Sequence, residues 1–154
     1  MKRSIYLGLI VFGFFYSKSQ TKEQATEFIN KSNIALHKVQ KELMHSPDKT
    51  AESQFKAALR YQVASVKNFK ANNLKEAFEY SYKSRTECVE ILKAIKPVNA
   101  DYFIPAIGED QLLKRDHKLI TLQDGDLNKE EAAKIDGLDI ADPQKLRELE
   151  ISLN

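Results

Sequence analysis

The sequence predicts a mainly α-helical protein: an antiparallel bundle of about three long helices, followed by an acidic, partly helical C-terminal segment. Two observations support this class. Apolar residues recur at steps of three and four in three stretches of about 20 residues each, which is the spacing of one face of an α-helix. Short polar or proline-containing connections separate these stretches, as in an up-down-up bundle.

Residues 1–19 have the three parts of a secretory signal peptide. A positively charged start precedes an apolar run over residues 5–15, and Ser17-Lys18-Ser19 has the small-x-small pattern of a cleavage site. The apolar run is shorter than the roughly 20 residues that span a bilayer. We therefore expect export to the periplasm or the cell exterior, with a mature chain that starts at Gln20 and keeps no stable membrane span. An uncleaved N-terminal anchor is the alternative.

The first helix of the bundle is predicted from Thr21 to about Met44. Pro47 interrupts the apolar pattern there, because a proline disfavours helical geometry in the residue before it. Asp48 or Thr50 is expected to cap the second helix, since both side chains can accept a hydrogen bond from the first helical turn.

Residues 54–96 have the clearest periodicity of the chain and predict a helical hairpin. Ala71-Asn72-Asn73 interrupts the apolar pattern with residues that favour turns. The two predicted apolar faces are formed by Phe55, Leu59, Val63, Val66 and Phe69 before the turn, and by Leu74, Ala77, Phe78, Ser81, Arg85, Cys88, Leu92 and Ile95 after it.

The turn of this hairpin resembles that of a tetratricopeptide repeat. Asn72 stands where the family has a glycine, Ala77 matches its small residue, and Ser84 replaces a later alanine. The resemblance covers one hairpin, and no second copy follows at a 34-residue period. Because a solenoid needs about three repeats to bury its faces, a plain bundle is the better interpretation.

Charge divides the mature chain into two predicted parts, a helical bundle over residues 20–97 and an acidic segment over residues 98–154. The bundle has 14 basic and 9 acidic residues, and the segment has 7 basic and 13 acidic residues. We therefore expect the segment to pack on the bundle.

Cys88 is the only cysteine, so it has no disulfide partner within the chain. Its place on an apolar face predicts a buried, inert thiol.

Residues 124–131 resemble the second half of an EF-hand-like calcium loop. In one register Gly125 takes the sharp turn and Glu131 the bidentate twelfth position, but apolar residues fall at the first and third ligand positions. In the other register a lysine replaces the glycine and an isoleucine replaces the bidentate ligand. The alternative is an acidic turn that caps a helix, with Asn128 as N-cap and Glu131 at its third position. The candidate metal ligands are Asp124, Asp126, Asn128 and Glu131.

The end of the chain has two interpretations. Asp142-Pro143 predicts the start of a helix on which Leu146, Leu149 and Leu153 share a face. Residues 146–154 also resemble the strand segment of a leucine-rich repeat, a family with members among bacterial surface proteins. Only one such segment is present, and one repeat cannot form a solenoid. We therefore predict the helix.

Arg85 is the candidate ligand-binding residue of the bundle. It shares a predicted apolar face with Phe78, Cys88 and Leu92, where a buried charge without a partner is very costly. The first expectation is that its stem lies along the apolar surface while its guanidinium reaches water. The alternatives are a carboxylate partner from the acidic segment and an anionic ligand held in the guanidinium fork.

No sequence pattern for catalysis is present. The chain has no phosphate-binding glycine loop, CxxC motif, HExxH motif or nucleophile elbow. His37, His45 and His117 lack the spacing of a helical metal pair, so we expect surface histidines. We predict no enzyme, no cofactor and no nucleic-acid partner, but a protein that binds an unknown protein in the cell envelope or supports envelope structure. The alternatives are a small-ligand carrier that uses the bundle interior near Arg85, and a calcium-responsive module that uses residues 124–131.

Overall fold

The structure is a computed structural model that describes residues 21–95 and 119–153. It is mainly helical, and its three long helices pack against one another, which confirms the predicted helical bundle. The helices are α1 (Lys22–His45), α2 (Lys49–Lys70), α3 (Leu74–Ile95), α4 (Lys129–Asp136) and α5 (Pro143–Arg147). Within these two ranges there is no strand, and every helix is too short or too polar to cross a lipid bilayer.

Three predictions fall outside this part of the chain. They are the signal peptide over residues 1–19, the boundary between bundle and acidic segment after residue 97, and the surface position of His117.

Side-chain caps fix the starts of α1 and α2, and one of them, Asp48, is a cap that the sequence predicts. The hydroxyl of Thr21 accepts a hydrogen bond from the backbone N–H of Gln24 at 3.2 Å, and the Gln24 side chain accepts one from the Thr21 N–H at 3.1 Å. A carboxylate oxygen of Asp48 accepts the N–H of Ala51 at 2.7 Å. These side chains satisfy donors that no helical carbonyl reaches, which fixes the first turns of α1 and α2.

The connection between α2 and α3 is a tight turn at Ala71–Asn73. Asn72 has a φ of 64°, in the left-handed region that asparagine tolerates better than most residues. It stands where the tetratricopeptide resemblance places a glycine. The N–H of Asn73 then donates to the carbonyl of Asn68 at 2.8 Å, so α3 leaves the turn antiparallel to α2.

The main core is shared between the bundle and the C-terminal segment. Burying one large aliphatic side chain is worth about 1.5–3 kcal/mol, so these contacts dominate the attachment of the segment. The segment contributes Ile135, Leu138, Ile140, Leu146, Leu149 and Ile151, which pack with bundle residues that include Leu36, Val39, Leu43, Phe55, Leu59, Ile91 and Leu92.

One side of α2 forms ion pairs with the same segment. Its basic residues recur at helical spacing, and they meet acidic residues of opposite charge, as the charge division of the sequence predicts. Exposed ion pairs contribute less than about 1 kcal/mol each, so they orient the segment more than they hold it. The pairs are Arg60 with Asp136, Lys67 with Glu131 and Lys70 with Glu150, and Lys56 donates to the Asp136 carbonyl.

The last helix is shorter than predicted. Helix α5 begins at Pro143 after the Asp142 cap, as expected, but it ends at Arg147. Beyond it Leu149 and Ile151 are buried while Glu150 is exposed, and the Ile151 N–H donates to the Leu149 carbonyl at 2.8 Å, which is the hydrogen bond of a tight turn and not of a helix. The prediction that Leu146, Leu149 and Leu153 share a helical face is therefore wrong. The cause is tertiary, because the buried side chain of Gln62 donates to the Ile151 carbonyl at 2.9 Å and holds this non-helical segment against α2.

Candidate functional site

Arg85 lies inside the bundle. The residue is 2% exposed, and its guanidinium carbon is 4.9 Å from the ring centroid of Phe28 and 5.8 Å from that of Tyr82. Both distances are within the range of cation–π attraction. The expectation that the guanidinium reaches water is therefore wrong. Helix α1 places Phe28 over α3 at this level, so the aromatic ring occupies the space that water would need.

Near Arg85, a buried serine of α3 is hydrogen-bonded to a buried serine of α1. The hydroxyls of Ser32 and Ser81 are 2.7 Å apart, and Ser32 also donates to the Ser81 carbonyl at 2.6 Å. The hydroxyl of Ser84 is buried without a hydrogen-bond partner among the described residues.

Arg85 does not line any of the four surface depressions described below. The carrier function near Arg85 stays a prediction.

Cys88 and the histidines of α1 take the positions that the sequence predicts. Cys88 is buried, and burial raises the pKa of its thiol, as expected for an inert side chain. His37 and His45 are exposed. Although His37 as a residue is exposed, its imidazole is partly shielded from water, which lowers its pKa, and the nearby cation of Arg147 lowers the pKa further. The Nδ1 atom of His45 lies 2.6 Å from the Lys41 carbonyl at the end of α1.

The acidic loop at residues 124–131 forms the predicted cap. The Asn128 side chain accepts the N–H of Glu131 at 2.8 Å, and the Glu131 carboxylate accepts the N–H of Asn128 at 2.6 Å. The same carboxylate lies 3.1 Å from the Lys67 ammonium, which also donates to the Gly125 carbonyl at 3.4 Å. A lysine of α2 thus supplies a positive charge among the oxygens of this loop.

Asp126 is held by donors from three elements. Its carboxylate accepts the Tyr80 hydroxyl and the backbone N–H of Gln123, each at 2.5 Å, and the Asn68 amide at 3.2 Å. Burial raises the pKa of Tyr80, and the hydrogen bond to Asp126 raises it further. We call this cluster of Asn68, Tyr80, Gln123 and Asp126 the Asp126 latch, because it fastens the loop to α2 and α3.

Two of the four candidate metal ligands, Asp126 and Glu131, are therefore engaged by the bundle. Asn128 uses its side chain as the cap, and Asp124 is exposed. In the ranges that the structure describes, no group of three or more His, Cys, Asp or Glu side chains is arranged to hold a metal ion. Calcium binding stays a prediction.

A groove with both apolar and acidic lining residues lies between the end of α1 and residues 138–141. Its volume is about 180 Å³. Met44, which is 41% exposed, forms one wall, and Glu52 and Asp139 stand at the rim. Neither carboxylate is in an ion pair with another residue of the described ranges. The groove is lined by Leu43, Met44, Pro47, Glu52, Leu138, Asp139, Ile140 and Ala141.

Local structure fixes the two walls of this groove. Helix α1 ends at His45, two residues before Pro47. On the opposite wall the Asp142 N–H donates to the Asp139 carbonyl at 3.2 Å, and the Asp139 carboxylate accepts the Ala141 N–H at 3.0 Å. The buried side chain of Gln40 donates to the carbonyl of Ile140 at 3.3 Å. This wall is therefore a hydrogen-bonded turn attached to α1.

Three other clefts are lined partly or mostly by charged and polar side chains. A cleft of about 260 Å³ between α2 and α4 is lined by lysines and glutamates that pair with one another, among them Lys67 with Glu131. A cleft of about 330 Å³ between α4 and α5 contains the Lys145–Glu148 pair. The third, of about 300 Å³ beside the start of α3, is mostly polar. Ligands would have to displace internal partners in the first two clefts.

Comparisons with known proteins identify no relative. No protein-family model, no curated protein and no solved structure matches the chain. Neither the tetratricopeptide resemblance nor the leucine-rich-repeat resemblance is supported by a family match. The function is therefore inferred from the geometry of the chain's own residues.

No sequence pattern identifies the residues that shape this site. The groove joins residues almost 100 positions apart, and no periodic pattern links them. A weak signal was present for the attachment points, since Gln40, Gln62 and Asn68 are polar residues on the buried sides of α1 and α2. Buried amides need hydrogen-bond partners, and here each donates to a residue of the C-terminal segment.

Proposed function

We propose that the protein is an exported, non-catalytic binding protein that captures an apolar side chain of a protein partner in the groove at the end of α1. The observation that carries this proposal is the groove itself, with its buried apolar floor, the exposed Met44 wall and two rim carboxylates that pair with no cation of the described ranges. Its export is inferred from the signal-peptide pattern of residues 1–19.

The size of the groove favours a side chain over a small-molecule ligand. Pockets for small molecules and cofactors usually have volumes of about 300–1,000 Å³, whereas this groove has about 180 Å³. A single aliphatic or aromatic side chain is small enough for such a space. Such side chains are typical anchors at the centre of protein interfaces.

The charge of the rim defines the partner further. Glu52 of α2 and Asp139 give the groove two negative charges. A partner whose apolar anchor is flanked by lysine or arginine would meet complementary charge, which favours correct orientation and rapid association. The proposed partner surface is therefore apolar at its centre and basic around it.

A photo-crosslinking experiment in the producing cell tests this function. A photoreactive amino acid replaces Met44, and a matched control replaces the exposed Lys75 at the start of α3. We expect a discrete adduct from position 44 in the envelope fraction and none from position 75. Glu52→Gln with Asp139→Asn should lower the adduct yield several-fold, because the rim loses its charge while the new amide oxygen still accepts the Ala141 N–H. No adduct at position 44, or equal adducts at both positions, would refute the proposal.

A further inference from the structure

The groove presents a sulfur atom to solvent. Met44 forms one of its walls and is 41% exposed, although methionine is among the residues most often buried. The chain has two methionines, and the other is Met1 at the start of the signal-peptide pattern. If residues 1–19 are removed on export, Met44 is the only methionine that remains.

The single thiol of the chain is shielded from oxidants. Cys88 is fully buried, and burial raises the pKa of its thiol. Because peroxides attack the thiolate of an accessible cysteine, a buried and protonated Cys88 reacts slowly. The thioether of Met44 needs no deprotonation, so its reactivity depends on the access that its position provides. An oxidant that meets the native protein therefore reacts first at Met44.

The other lining residues make the groove sensitive to the polarity of Met44. They are Leu43, Pro47, Glu52, Leu138, Asp139, Ile140 and Ala141. At neutral pH none of these lining side chains has an N–H or O–H group that could donate to a sulfoxide oxygen. The carboxylates of Glu52 and Asp139 are themselves acceptors. A polar group buried without a hydrogen-bond partner is unfavourable, so an oxidised Met44 has to keep its oxygen in water and cannot pack against an apolar anchor.

We propose that Met44 is a site of reversible oxidation by hydrogen peroxide, and that its sulfoxide prevents the groove from binding an apolar side chain. This inference rests on the proposed function and names the regulation of its site. The proposed export favours the reaction, because it places the chain outside the reducing cytosol.

The reaction needs only the thioether and the peroxide. The sulfur lone pair attacks one peroxide oxygen, so that an S–O bond forms while the O–O bond breaks. The departing hydroxide takes the proton of the transferred oxygen and leaves as water. Sulfur loses the two electrons that the peroxide gains. A methionine sulfoxide reductase reverses the change, with two electrons and two protons from a dithiol and release of the oxygen as water.

Peroxide treatment of the purified protein tests the modification itself. We expect the mass to increase by one oxygen atom on the peptide that contains Met44, while Cys88 stays a thiol. The rate should be within a few-fold of the rate for the same peptide of the urea-unfolded chain. Met44→Leu, a change that conserves volume, is the matched control and should take up no oxygen at this position. Much slower oxidation of Met44 in the native chain, or prior oxidation of Cys88, would overturn the site.

A photoreactive amino acid at position 141, an exposed lining residue, tests the effect on binding. The oxidised chain is freed of peroxide and added to an untreated envelope extract of the producing cell. We expect the adduct yield to fall several-fold on oxidation and to recover after treatment with methionine sulfoxide reductase and dithiothreitol. The Met44→Leu chain, treated in the same way, should keep its yield throughout.

The possible results separate the regulation from the groove. An adduct yield that oxidation leaves unchanged, or an equal loss in the Met44→Leu chain, would overturn the regulation and leave groove binding intact. No adduct in either state would refute groove binding, and the regulation with it. The oxidised chain should keep its circular dichroism spectrum and urea midpoint, since Met44 is exposed. A large loss of stability on oxidation would indicate damage to the fold and would also overturn the inference.

Discussion

Replacing Asp126 by alanine tests whether the Asp126 latch fastens the C-terminal segment to the bundle. The carboxylate accepts hydrogen bonds from the Tyr80 hydroxyl, the Asn68 amide and the Gln123 N–H. A hydrogen bond to a charged group contributes about 1.5–3 kcal/mol, and a buried donor left without a partner costs about 1–3 kcal/mol. The three bonds share one partly exposed acceptor and are not additive. We therefore expect a loss of about 2–4 kcal/mol in the free energy of unfolding.

Urea denaturation followed by far-ultraviolet circular dichroism measures this loss as a lower midpoint at unchanged slope. Asp124→Ala is the matched control, because Asp124 is exposed in the same loop and should change stability by less than about 0.5 kcal/mol. Asp126→Ala combined with Tyr80→Phe should cost less than the sum of the single changes, since both remove the same bond. Equal midpoints for Asp126→Ala and Asp124→Ala would refute the latch.

Measuring stability as a function of pH tests the hydrogen bond between Tyr80 and Asp126 through the ionisation of the Tyr80 hydroxyl. The pKa of Tyr80 is raised above its ordinary value of 10.0 by burial and by Asp126. Unfolded tyrosine releases its proton at a lower pH than the native residue, so the native state binds more protons above about pH 10. Stability should therefore fall as pH rises through that range, and Tyr80→Phe should reduce this fall. An identical alkaline profile for the variant would contradict the assignment.

Four further measurements check other parts of the account. Phe78→Ala should cost about 3–5 kcal/mol of stability because Phe78 is fully buried, while Lys75→Ala should change it by less than about 0.5 kcal/mol; similar urea midpoints would contradict the predicted apolar face. The lowered pKa of His37 means that the unfolded chain binds the proton more readily below about pH 6.5, so stability should fall as pH drops through that region, and His37→Gln should flatten the slope. Millimolar calcium should leave the melting temperature unchanged, since the loop over residues 124–131 is engaged by the bundle; a rise of several degrees that EDTA reverses would support a calcium module instead. Mass spectrometry of the exported protein should find its N-terminus at Gln20, and an intact N-terminal methionine would contradict signal cleavage.

The helices could be predicted from the sequence because the interactions that form them join residues close together in the chain. Apolar spacing places side chains on one helix face, and Thr21, Asp48 and Asn128 each cap a helix through atoms within three residues. The polar turn at Asn72 follows from the left-handed conformation of a single residue. None of these features needs a distant partner.

The candidate site was less predictable because distant residues decide it. Arg85 has the spacing of a side chain at the edge of an apolar face, but Phe28 of another helix closes over it. The end of the chain has a helical pattern through Leu153, yet the helix ends at Arg147 and the Gln62 amide binds the Ile151 carbonyl. The groove likewise exists only where residues 138–141 meet the end of α1. Each outcome depends on tertiary contacts, and tertiary contacts override local propensity.

Native-state hydrogen exchange tests the central claim most directly, because the groove requires the C-terminal segment to be part of one cooperative core with the bundle. Amides in the most protected parts of a cooperative unit exchange through the same global opening. The account predicts that the hydrogen-bonded amides of Ile135, Leu149 and Ile151 have the opening free energy of the core amides of α2, and that urea lowers both in parallel. Rapid exchange of the segment while α2 stays fully protected would contradict the shared core, and with it the groove.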